Sequence, residues 1–497
     1  MDAPPTPPAP DCPRCRELEA RVLVLETLLR DLQDQRKPPP PKRPAEPQPP
    51  APAKVPTGKT RGAQPGHPPH LKTFLPSERV KTVVDHAPVC CAACDKPLSA
   101  IANNPDPKRH QVAELPVILA EITEHRGHSR TCPCGHTTRA PLPADIRKYS
   151  LGPHLTATVL YLIGSFGLSQ RNAEEVVEGL FGVPVALGTI SNLEREATAA
   201  LEPAYQEARK AVADAPVKNV DETGWKQSGL KRWLWAAATN AATVFLIHPR
   251  RNLDALTHLL GKLTGILVSD RWVVYDDWPE EQRQLCWAHV KRNWEKRIEL
   301  GGEAKELGQR WLAGQKTVFE LWHLFKDGTC TREAMQAEMT AAVESLGEVL
   351  LEGSYSRDAS LAAYCQRLQV KFPMYWLFTS ADGVEPTNNH AERVQRRAVL
   401  WRRKSFGCAS QAGCRFVERI LTVVGTLRLQ GRDALGFLSR SIAAHRRGLA
   451  GPMLCRGGTV TNCFPCMKKR NSLLTQTFSD YSDGPRKKSR DSLNRSS

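Results

Sequence analysis

The chain contains 497 residues, which is longer than one ordinary domain and predicts two or three folded units joined by connectors. Lysine and arginine number 69 against 52 aspartates and glutamates, and the net charge of +17 favours a polyanionic partner, either nucleic acid or an anionic membrane surface. A hydrophobic content of 41% excludes a wholly disordered chain. No apolar run reaches the roughly 18 residues that a membrane-spanning helix requires, and the N-terminus lacks the basic and apolar regions of a secretion signal. We therefore expect nucleic acid as the partner and no membrane association.

The N-terminal segment, residues 1–35, has the pattern of a short leucine-zipper-like helix. Five apolar residues follow one another at spacings of four and three: Leu18, Val22, Leu25, Leu29 and Leu32. Two heptads are marginal by themselves, so the pattern favours self-association as a coiled coil, with docking on the protein's own body as the alternative. Residues 36–59 form a proline-rich linker, and the composition of residues 451–497 predicts a basic, disordered tail.

Residues 60–140 contain two cysteine pairs with the spacing of a metal site. Cys91 and Cys94 form a CxxC turn, and Cys132 and Cys134 form a CxC turn. Four thiolates presented by two turns fit structural, tetrahedral Zn²⁺, and strands over residues 111–124 would complete a zinc ribbon. The alternative is that these are free cysteines in turns. The 15 cysteines do not suggest a disulfide framework in such a chain.

Residues 150–205 are predicted to be helical and to resemble a helix-turn-helix. A helix from about Arg171 to Phe181 is followed by Gly182, a residue typical of helix C-termini, and Thr189 or Ser191 is expected to start the next helix. The second helix of such a unit can enter the major groove of DNA. The alternative is an ordinary corner between two packed helices.

Residues 212–445 are predicted to form an α/β domain in which carboxylates follow buried strands. Asp221 comes after an apolar strand over residues 217–220, and Asp270 comes after another over residues 265–269. Because strand ends are where sites are built in open α/β sheets, these two acids are expected to meet and to bind divalent metal, for which carboxylate oxygens are suited.

A third acid is expected on a helix near the C-terminal end of this domain. Thr387 or Asn388 is predicted to cap that helix, Asn389 lies one turn before Glu392 on the same face, and Arg396 lies one turn after it. Three acids could hold two Mg²⁺ ions, or Mn²⁺, for in-line displacement at a phosphodiester. Candidate DNA-phosphate contacts are Arg393, Arg397, Arg402, Arg403 and Lys404.

At these residues the sequence resembles the insertion-sequence-66-type transposases. The blocks that carry the resemblance are VDETGW, SDRWVVY, CWAHVKR, PTNNHAERVQR and RRKSFGCASQAG, together with RGAQPGH, LPVILAEITEHR and CPCGH earlier in the chain. The blocks occur in the family's order between roughly residues 15 and 445.

The resemblance implies a ribonuclease-H-like catalytic core of the DDE class, with Asp221, Asp270 and Glu392 as its three acids. The helical segment of about residues 300–370 is then an insertion in this core. His289 is implied to be auxiliary, with a buried histidine bonded to backbone as the alternative, and Lys291 and Arg292 of CWAHVKR are further candidate DNA contacts. The family also implies a homo-oligomer, small co-encoded accessory proteins and a bacterial, cytoplasmic, nucleoid-associated location.

The leading functional hypothesis is therefore an enzyme, a metal-dependent transposase that cleaves DNA at the ends of its element and transfers the strands. One alternative is a catalytically inactive zinc-ribbon and helix-turn-helix DNA-binding protein derived from a transposase. Another is a ribonuclease-H-like nuclease that does not transpose DNA.

Overall fold

The computed structural model describes residues 74–98, 100, 107–115, 118–143 and 148–455. The chain divides into two compact units, Met1–Leu115 and Pro116–Ser497. The predicted zipper helix, the proline-rich linker and the tail beyond residue 455 lie outside the described residues. In the described ranges, no helix has both the length and the apolar character needed to cross a bilayer.

The segment predicted as zinc-ribbon strands, residues 111–124, contains no strand among its described residues. In the first unit, the Gln111 side chain bonds both backbone groups of Leu75, accepting from the nitrogen at 2.8 Å and donating to the oxygen at 3.2 Å. In the second unit, the Ala120 nitrogen donates to the Phe181 carbonyl at 3.2 Å. The strand prediction is wrong here, and the described backbone partner of Ala120 is the end of a helix rather than a neighbouring strand.

The second unit alternates short strands and helices. Its strands are β1 (Ser129–Thr131), β2 (Thr137–Arg139), β3 (Val217–Gln227), β4 (Leu230–Ala238), β5 (Thr243–His248), β6 (Ile266–Ser269) and β7 (Arg283–Leu285). Its helices are α1 (Pro153–Phe166), α2 (Gln170–Phe181), α3 (Leu187–Ala213), α4 (Leu253–Leu260), α5 (Trp287–Ile298), α6 (Gly302–Lys326), α7 (Arg332–Ser354), α8 (Ala359–Val370), α9 (Leu377–Ser380), α10 (Asn389–Ser405), α11 (Gln411–Leu429) and α12 (Ala434–Arg446).

A mixed five-stranded sheet forms the centre of the second unit, with the order β5-β4-β3-β6-β7. β3, β4 and β5 are antiparallel neighbours, whereas β6 and β7 run parallel to β3. The chain is thus a mixed α/β protein, as its sequence predicts. β1 and β2 pair separately as a two-stranded hairpin.

Helices cover both faces of the sheet. Trp225, Leu234 and Phe245 pack on one face in a cluster shared with α1, α2, α3, α11 and α12. Val220 and Trp235 pack on the other face with α4. The segment of about residues 300–370 is helical, as predicted, and forms α6, α7 and α8, which enclose a third cluster that reaches β6 and β7. The region after Pro386 holds three helices, and the chain turns at Gly431 before Asp433 caps α12.

Three side chains of α11 accept hydrogen bonds from the backbone nitrogens of β5, the strand at one edge of the sheet. Thr426 Oγ1 and Thr422 Oγ1 accept from the backbone nitrogens of Thr243 and Phe245, both at 3.0 Å, and Glu418 Oε1 accepts from Ile247 at 2.8 Å. Four helical residues rise about 6 Å and two strand residues about 6.6 Å, so a four-residue spacing on α11 matches a two-residue spacing on β5. The helix therefore occupies an edge that would otherwise be open to another strand.

We expect Thr422→Val to lower the free energy of unfolding by about 1–3 kcal/mol, because it leaves the buried Phe245 amide without an acceptor. Urea denaturation monitored by circular dichroism measures the change. Thr422→Ser keeps the hydroxyl and should lose less. Equal destabilisation by valine and serine would contradict the role of the hydroxyl.

Candidate active site

Strand pairing brings Asp221 and Asp270 together. β3 and β6 pair in parallel over three positions, ending with Asn219 opposite Val268. Asp221 and Asp270 each lie two residues further on, where β6 has just ended. The sequence placed Asp221 at the end of its strand, and this prediction is wrong. β3 continues to Gln227 in antiparallel pairing with β4. The hairpin with β4 supplies backbone partners that the sequence of β3 alone does not reveal.

Asp221 is buried among other carboxylates. Burial and, after it, the negative charges of Glu222, Asp270 and Glu392 raise the pKa of Asp221 to about 8. The three predicted acids, which come from β3, the end of β6 and α10, therefore lie close enough to act on one another. The largest causes of this shift are burial and three negative charges, so a cation bound beside Asp221 would favour its ionised form.

Gln395 holds Asp221 from the same helix that carries Glu392. With its amide nitrogen turned toward β3, Gln395 donates to Asp221 Oδ2 at 2.8 Å and accepts from the Thr223 backbone nitrogen at 3.2 Å. The side chain is 5% exposed. Gln395 follows Glu392 by three residues, so the two share a face of α10. The sequence interpretation missed this residue, although that spacing could have indicated it.

Asn388 fixes the start of α10 to the sheet. Its side-chain nitrogen donates to the Val220 carbonyl at 2.7 Å, and its oxygen accepts from the Asn219 side chain at 3.0 Å. Its backbone nitrogen donates to Cys286 Sγ at 3.1 Å. Asn388 occupies the N-cap position, but its side chain makes no capping bond. The predicted capping role is wrong because buried β3 groups next to Asp221 use that side chain.

Two residues of α5 contact Glu392. His289 Nε2 lies 3.8 Å from Glu392 Oε1, and Arg292 Nη2 donates to the same oxygen at 3.2 Å. His289 Nδ1 is buried and has no hydrogen-bond partner among the described residues, so the histidine is not the backbone-bonded type of the alternative reading. Burial lowers the pKa of His289. Arg292, expected to contact DNA, contacts a candidate catalytic acid in this structure.

Glu222 lies next to Asp221 in the chain but in a different environment. Arg251 Nε donates to Glu222 Oε1 at 2.7 Å, and the Tyr275 hydroxyl donates to Glu222 Oε2. The Arg251 guanidinium also stacks on Trp272, 3.8 Å from the ring centroid. Sequence reasoning missed this cluster, although Glu222 belongs to the VDETGW block. A protein cation thus compensates Glu222, whereas the main charges acting on Asp221 are negative.

The donor set fits divalent cations with a preference for oxygen. Among the described residues, the donor oxygens of Asp221, Asp270 and Glu392 do not all lie within 4.8 Å of one another. A site with two ions does not need all three acids within this distance of one another. When the ions lie about 3.5–4 Å apart, one acid can bind both ions while each of the other two acids binds a different ion. The raised pKa of Asp221 is the expected property of carboxylates placed for a cation, since a bound cation removes their repulsion.

The basic residues of α10 bond other parts of the protein, line a cleft beside α1, or do both. Arg402 is committed within the protein, donating to Thr223 Oγ1 at 3.0 Å and to the Gly224 carbonyl. Arg397 and Lys404 donate to the carbonyls that end α1, those of Ser165 at 3.4 Å and Phe166 at 3.1 Å. A cleft of about 370 Å³ between the end of α1 and α10 is lined by the cations Arg393, Arg396, Arg397 and Lys404.

The remaining site predictions lie at the edges of this arrangement. Asn389 and Arg403 are exposed on α10, and Lys291 on α5 lies 3.9 Å from Glu295. Cys91 and Cys94 belong to the first unit, whereas Cys132 and Cys134 belong to the second. The zinc site predicted for these four cysteines stays a prediction.

The two helices predicted as a helix-turn-helix are present. α2 ends at Phe181 with Gly182 in the left-handed conformation, as expected. α3 begins at Leu187, before either predicted start, and its N-cap Ala186 offers no side-chain bond. α3 continues for 27 residues and buries Ile190, Leu193 and Ala197. These residues share a core with α11, which gives α3 a structural task besides any contact with DNA.

Comparison with known proteins identifies the family of this chain. Residues 148–415, more than half of the chain, match the family described as transposase IS66 family. The chain belongs to the IS66 family of transposases. A similar protein of Sinorhizobium fredii (strain NBRC 101917 / NGR234), called uncharacterized protein y4hP, is 24% identical over 402 residues, covering 74% of this chain and 72% of its own length. Uncharacterized protein y4qI of the same strain is 24% identical over 244 residues, 44% of each chain.

Without divalent cations, this IS66-family protein should lose stability as the pH rises from about 4 to about 8. The unfolded chain releases the Asp221 proton near the ordinary pKa, whereas the folded chain holds it until about pH 8. One such proton corresponds to about 1.4 kcal/mol per pH unit. Urea unfolding in a chelator, repeated across this pH range, measures the slope.

Asp221→Asn should remove this part of the slope, and Mg²⁺ should reduce it in the unsubstituted protein. Asp277→Asn changes an exposed aspartate of the nearby loop and serves as the control. If Asp221→Asn and the unsubstituted protein have equal slopes, the burial of a protonated Asp221 is contradicted.

Proposed function

We propose that this chain is the transposase of an insertion sequence, which binds the ends of its element and catalyses metal-dependent cleavage and strand transfer of DNA. The observation that carries the proposal is the convergence of Asp270 and Glu392 on Asp221, which acts on its pKa. A protein that only binds DNA would gain nothing from burying an aspartate among carboxylates, since that burial costs stability. Membership of a transposase family supports the same function.

The sheet supports a ribonuclease-H-like catalytic core. Three antiparallel strands are followed in the order by two strands parallel to β3, and helices cover both faces. In this proposal, the core corresponds to residues 212–445, and the helices between α5 and α10 form an insertion. Asp221 lies on the central strand, and Asp270 follows the strand beside it.

Each acid has a distinct proposed role in the site. Asp221, Asp270 and Glu392 would hold Mg²⁺ or Mn²⁺, which when bound supplies Lewis-acid stabilisation of charge at the scissile phosphate. Gln395 orients the Asp221 carboxylate through the 2.8 Å bond to Oδ2. Arg292 and His289 position Glu392, and Asn388 keeps the start of α10 against the strand that carries Asp221.

The cleft between α1 and α10 supports a path for the DNA backbone. Four cations line it, and guanidinium groups recognise phosphate oxygens through charge-assisted hydrogen bonds. The exposed Arg403 lies on the same helix. Arg402 takes a structural part in this proposal, because it already bonds the backbone and side chain of β3.

The other parts of the chain have proposed roles that follow from their sequences. The four cysteines would bind a structural Zn²⁺ ion, α2 and α3 would contribute DNA recognition, and the N-terminal heptads would join copies of the chain. Small co-encoded proteins are proposed partners, and the nucleoid is the proposed location.

We expect Asp270→Asn to abolish Mg²⁺-dependent nicking of DNA that carries the element's terminal repeats, while specific binding of those ends stays within about twofold. The reason is that loss of one carboxylate ligand prevents assembly of the metal site but leaves the basic surface unchanged. Nicking on a denaturing gel and binding by electrophoretic mobility shift provide the two measurements.

Asp277→Asn is the matched control and should cleave normally. Normal cleavage by Asp270→Asn would overturn the assignment of the three acids. Absence of cleavage by the unsubstituted protein, with both metals and accessory proteins supplied, would favour a DNA-binding protein without catalysis. Joining of the cleaved 3′ end to a target plasmid separates a transposase from a simple nuclease.

We expect Arg393→Gln to weaken DNA binding by a similar factor for all sequences and to reduce the slope of log K against log salt by about 1, since one phosphate contact is lost. Fluorescence anisotropy at several salt concentrations measures the slope. Lys305→Gln removes an exposed charge on the insertion helix α6 and should leave the slope unchanged. An unchanged slope in Arg393→Gln would exclude this residue from the DNA contact.

A further inference from the structure

A second group of metal-binding side chains lies outside the acidic site. Within the described ranges, His248, Asp254 and His258 form the one group of at least three such residues whose donor atoms all lie within 4.8 Å of one another. His248 ends β5, and Asp254 and His258 lie on α4. Sequence reasoning missed this group, because His248 belongs to a different element from the other two.

The donor separations match those around a tetrahedral metal ion. His248 Nε2 lies 3.3 Å from Asp254 Oδ2, and His258 Nδ1 lies 3.1 Å from Asp254 Oδ1. Metal–ligand bonds of about 2.0–2.1 Å at tetrahedral angles place neighbouring donors about 3.3 Å apart. Each imidazole faces a different oxygen of the Asp254 carboxylate, so the three side chains would turn toward one centre when they bind a single ion.

The local structure holds these donors in place. Asp254 and His258 are four residues apart and therefore share one face of α4. Asn252 begins that helix by accepting from the Ala255 nitrogen at 3.3 Å. His248 Nδ1 lies 3.2 Å from both the nitrogen and the oxygen of Arg250, which leaves Nε2 directed to Asp254. Backbone contacts of this kind are the usual way of orienting an imidazole ligand.

We propose that His248, Asp254 and His258 bind a borderline transition-metal ion such as Zn²⁺ or Co²⁺. Two imidazoles and one carboxylate select such ions over Mg²⁺, which prefers oxygen ligands alone. His258 Nδ1 also lies 2.9 Å from the Asp254 carbonyl, so metal binding at this nitrogen displaces its proton and that hydrogen bond. Three protein ligands leave a fourth position for water.

The metal would fasten the two ends of a short segment that reaches the acidic site. The segment, residues 249–252, connects His248 to α4 and carries Arg251. The Arg251 guanidinium bonds Glu222, the neighbour of Asp221 in β3. A metal bound on both sides of this segment restricts its motion and so keeps Arg251 in place against Glu222. The proposed ion is therefore a structural clamp and is independent of the proposed transposase activity.

Cobalt titration of the full-length, metal-free protein, prepared without a histidine tag, tests the site. The unsubstituted protein should bind one more equivalent of Co²⁺ than His258→Ala or Asp254→Asn. The visible absorption of that equivalent should lack thiolate-to-cobalt charge transfer, which separates it from the cysteines. His445→Ala removes an exposed histidine on α12 and should bind as much Co²⁺ as the unsubstituted protein. Asp254→Asn is isosteric and keeps the test interpretable if the alanine variant unfolds.

Trypsin digestion tests whether the metal restricts the motion of residues 249–252, because trypsin cleaves after Arg250 and Arg251 within this segment. Co²⁺ should slow cleavage there in the unsubstituted protein and in His445→Ala, but not in the two ligand variants. Equal cobalt stoichiometry in the ligand variants and the unsubstituted protein would overturn the metal site. Cleavage that is equally fast with and without Co²⁺ would overturn the clamp.

Discussion

The placement of two adjacent carboxylates in one buried strand constrains the rest of this structure. Consecutive residues of a strand point to opposite faces, so Asp221 and Glu222 enter different layers of the protein. Glu222 faces the layer of Tyr275 and is compensated by Arg251. Asp221 faces α10 and meets Gln395 together with the other acids. The chain therefore compensates Glu222 with Arg251, whereas the charges that act most strongly on Asp221 are those of other carboxylates.

This division explains why α10 is fastened so firmly to the sheet. Asn388 binds β3 one residue before Asp221, Gln395 binds Asp221 itself, and Arg402 binds the strand beyond it. These three contacts fix the position of Glu392 along the strand, although the whole helical insertion separates Glu392 from Asp270 in the chain. Polar contacts to buried groups give such a docking its specificity, since each unmatched partner costs free energy.

A second helix, α11, is bonded to the edge of the sheet formed by β5. The spacing of its polar side chains matches the spacing of the backbone amides along that strand. Thr426, Thr422 and Glu418 of α11 meet alternate amides of β5, so this helix fixes the strand that ends at His248. The histidine group continues from that strand into α4, and the segment between them returns through Arg251 to Glu222. The edge of the sheet and the acidic site are thus connected through a short path of hydrogen bonds and ion pairs.

Sequence reasoning predicted the mixed α/β fold, and it placed Asp221 and Asp270 beside two buried strands. Apolar runs of strand length indicated β3 and β6, and Gly182 indicated the end of α2, because these signals are local. The blocks around Asp221, Asp270 and Glu392 indicated the family, which the match over residues 148–415 confirms. Strands over residues 111–124 were wrongly predicted, because apolar composition does not reveal whether a neighbouring strand is present.

What the sequence by itself determined was the kind of elements and the chemical types of residue available for the site. The tertiary structure decided how they are used: that Asp221 lies within its strand, that Asn388 binds β3 rather than capping its helix, and that Arg292 and Arg402 serve neighbours within the protein. It also brought His248 to Asp254 and His258. The physical reason is that hydrogen bonds and ion pairs depend on distances of a few ångströms between side chains, and residues far apart in sequence reach those distances only through packing.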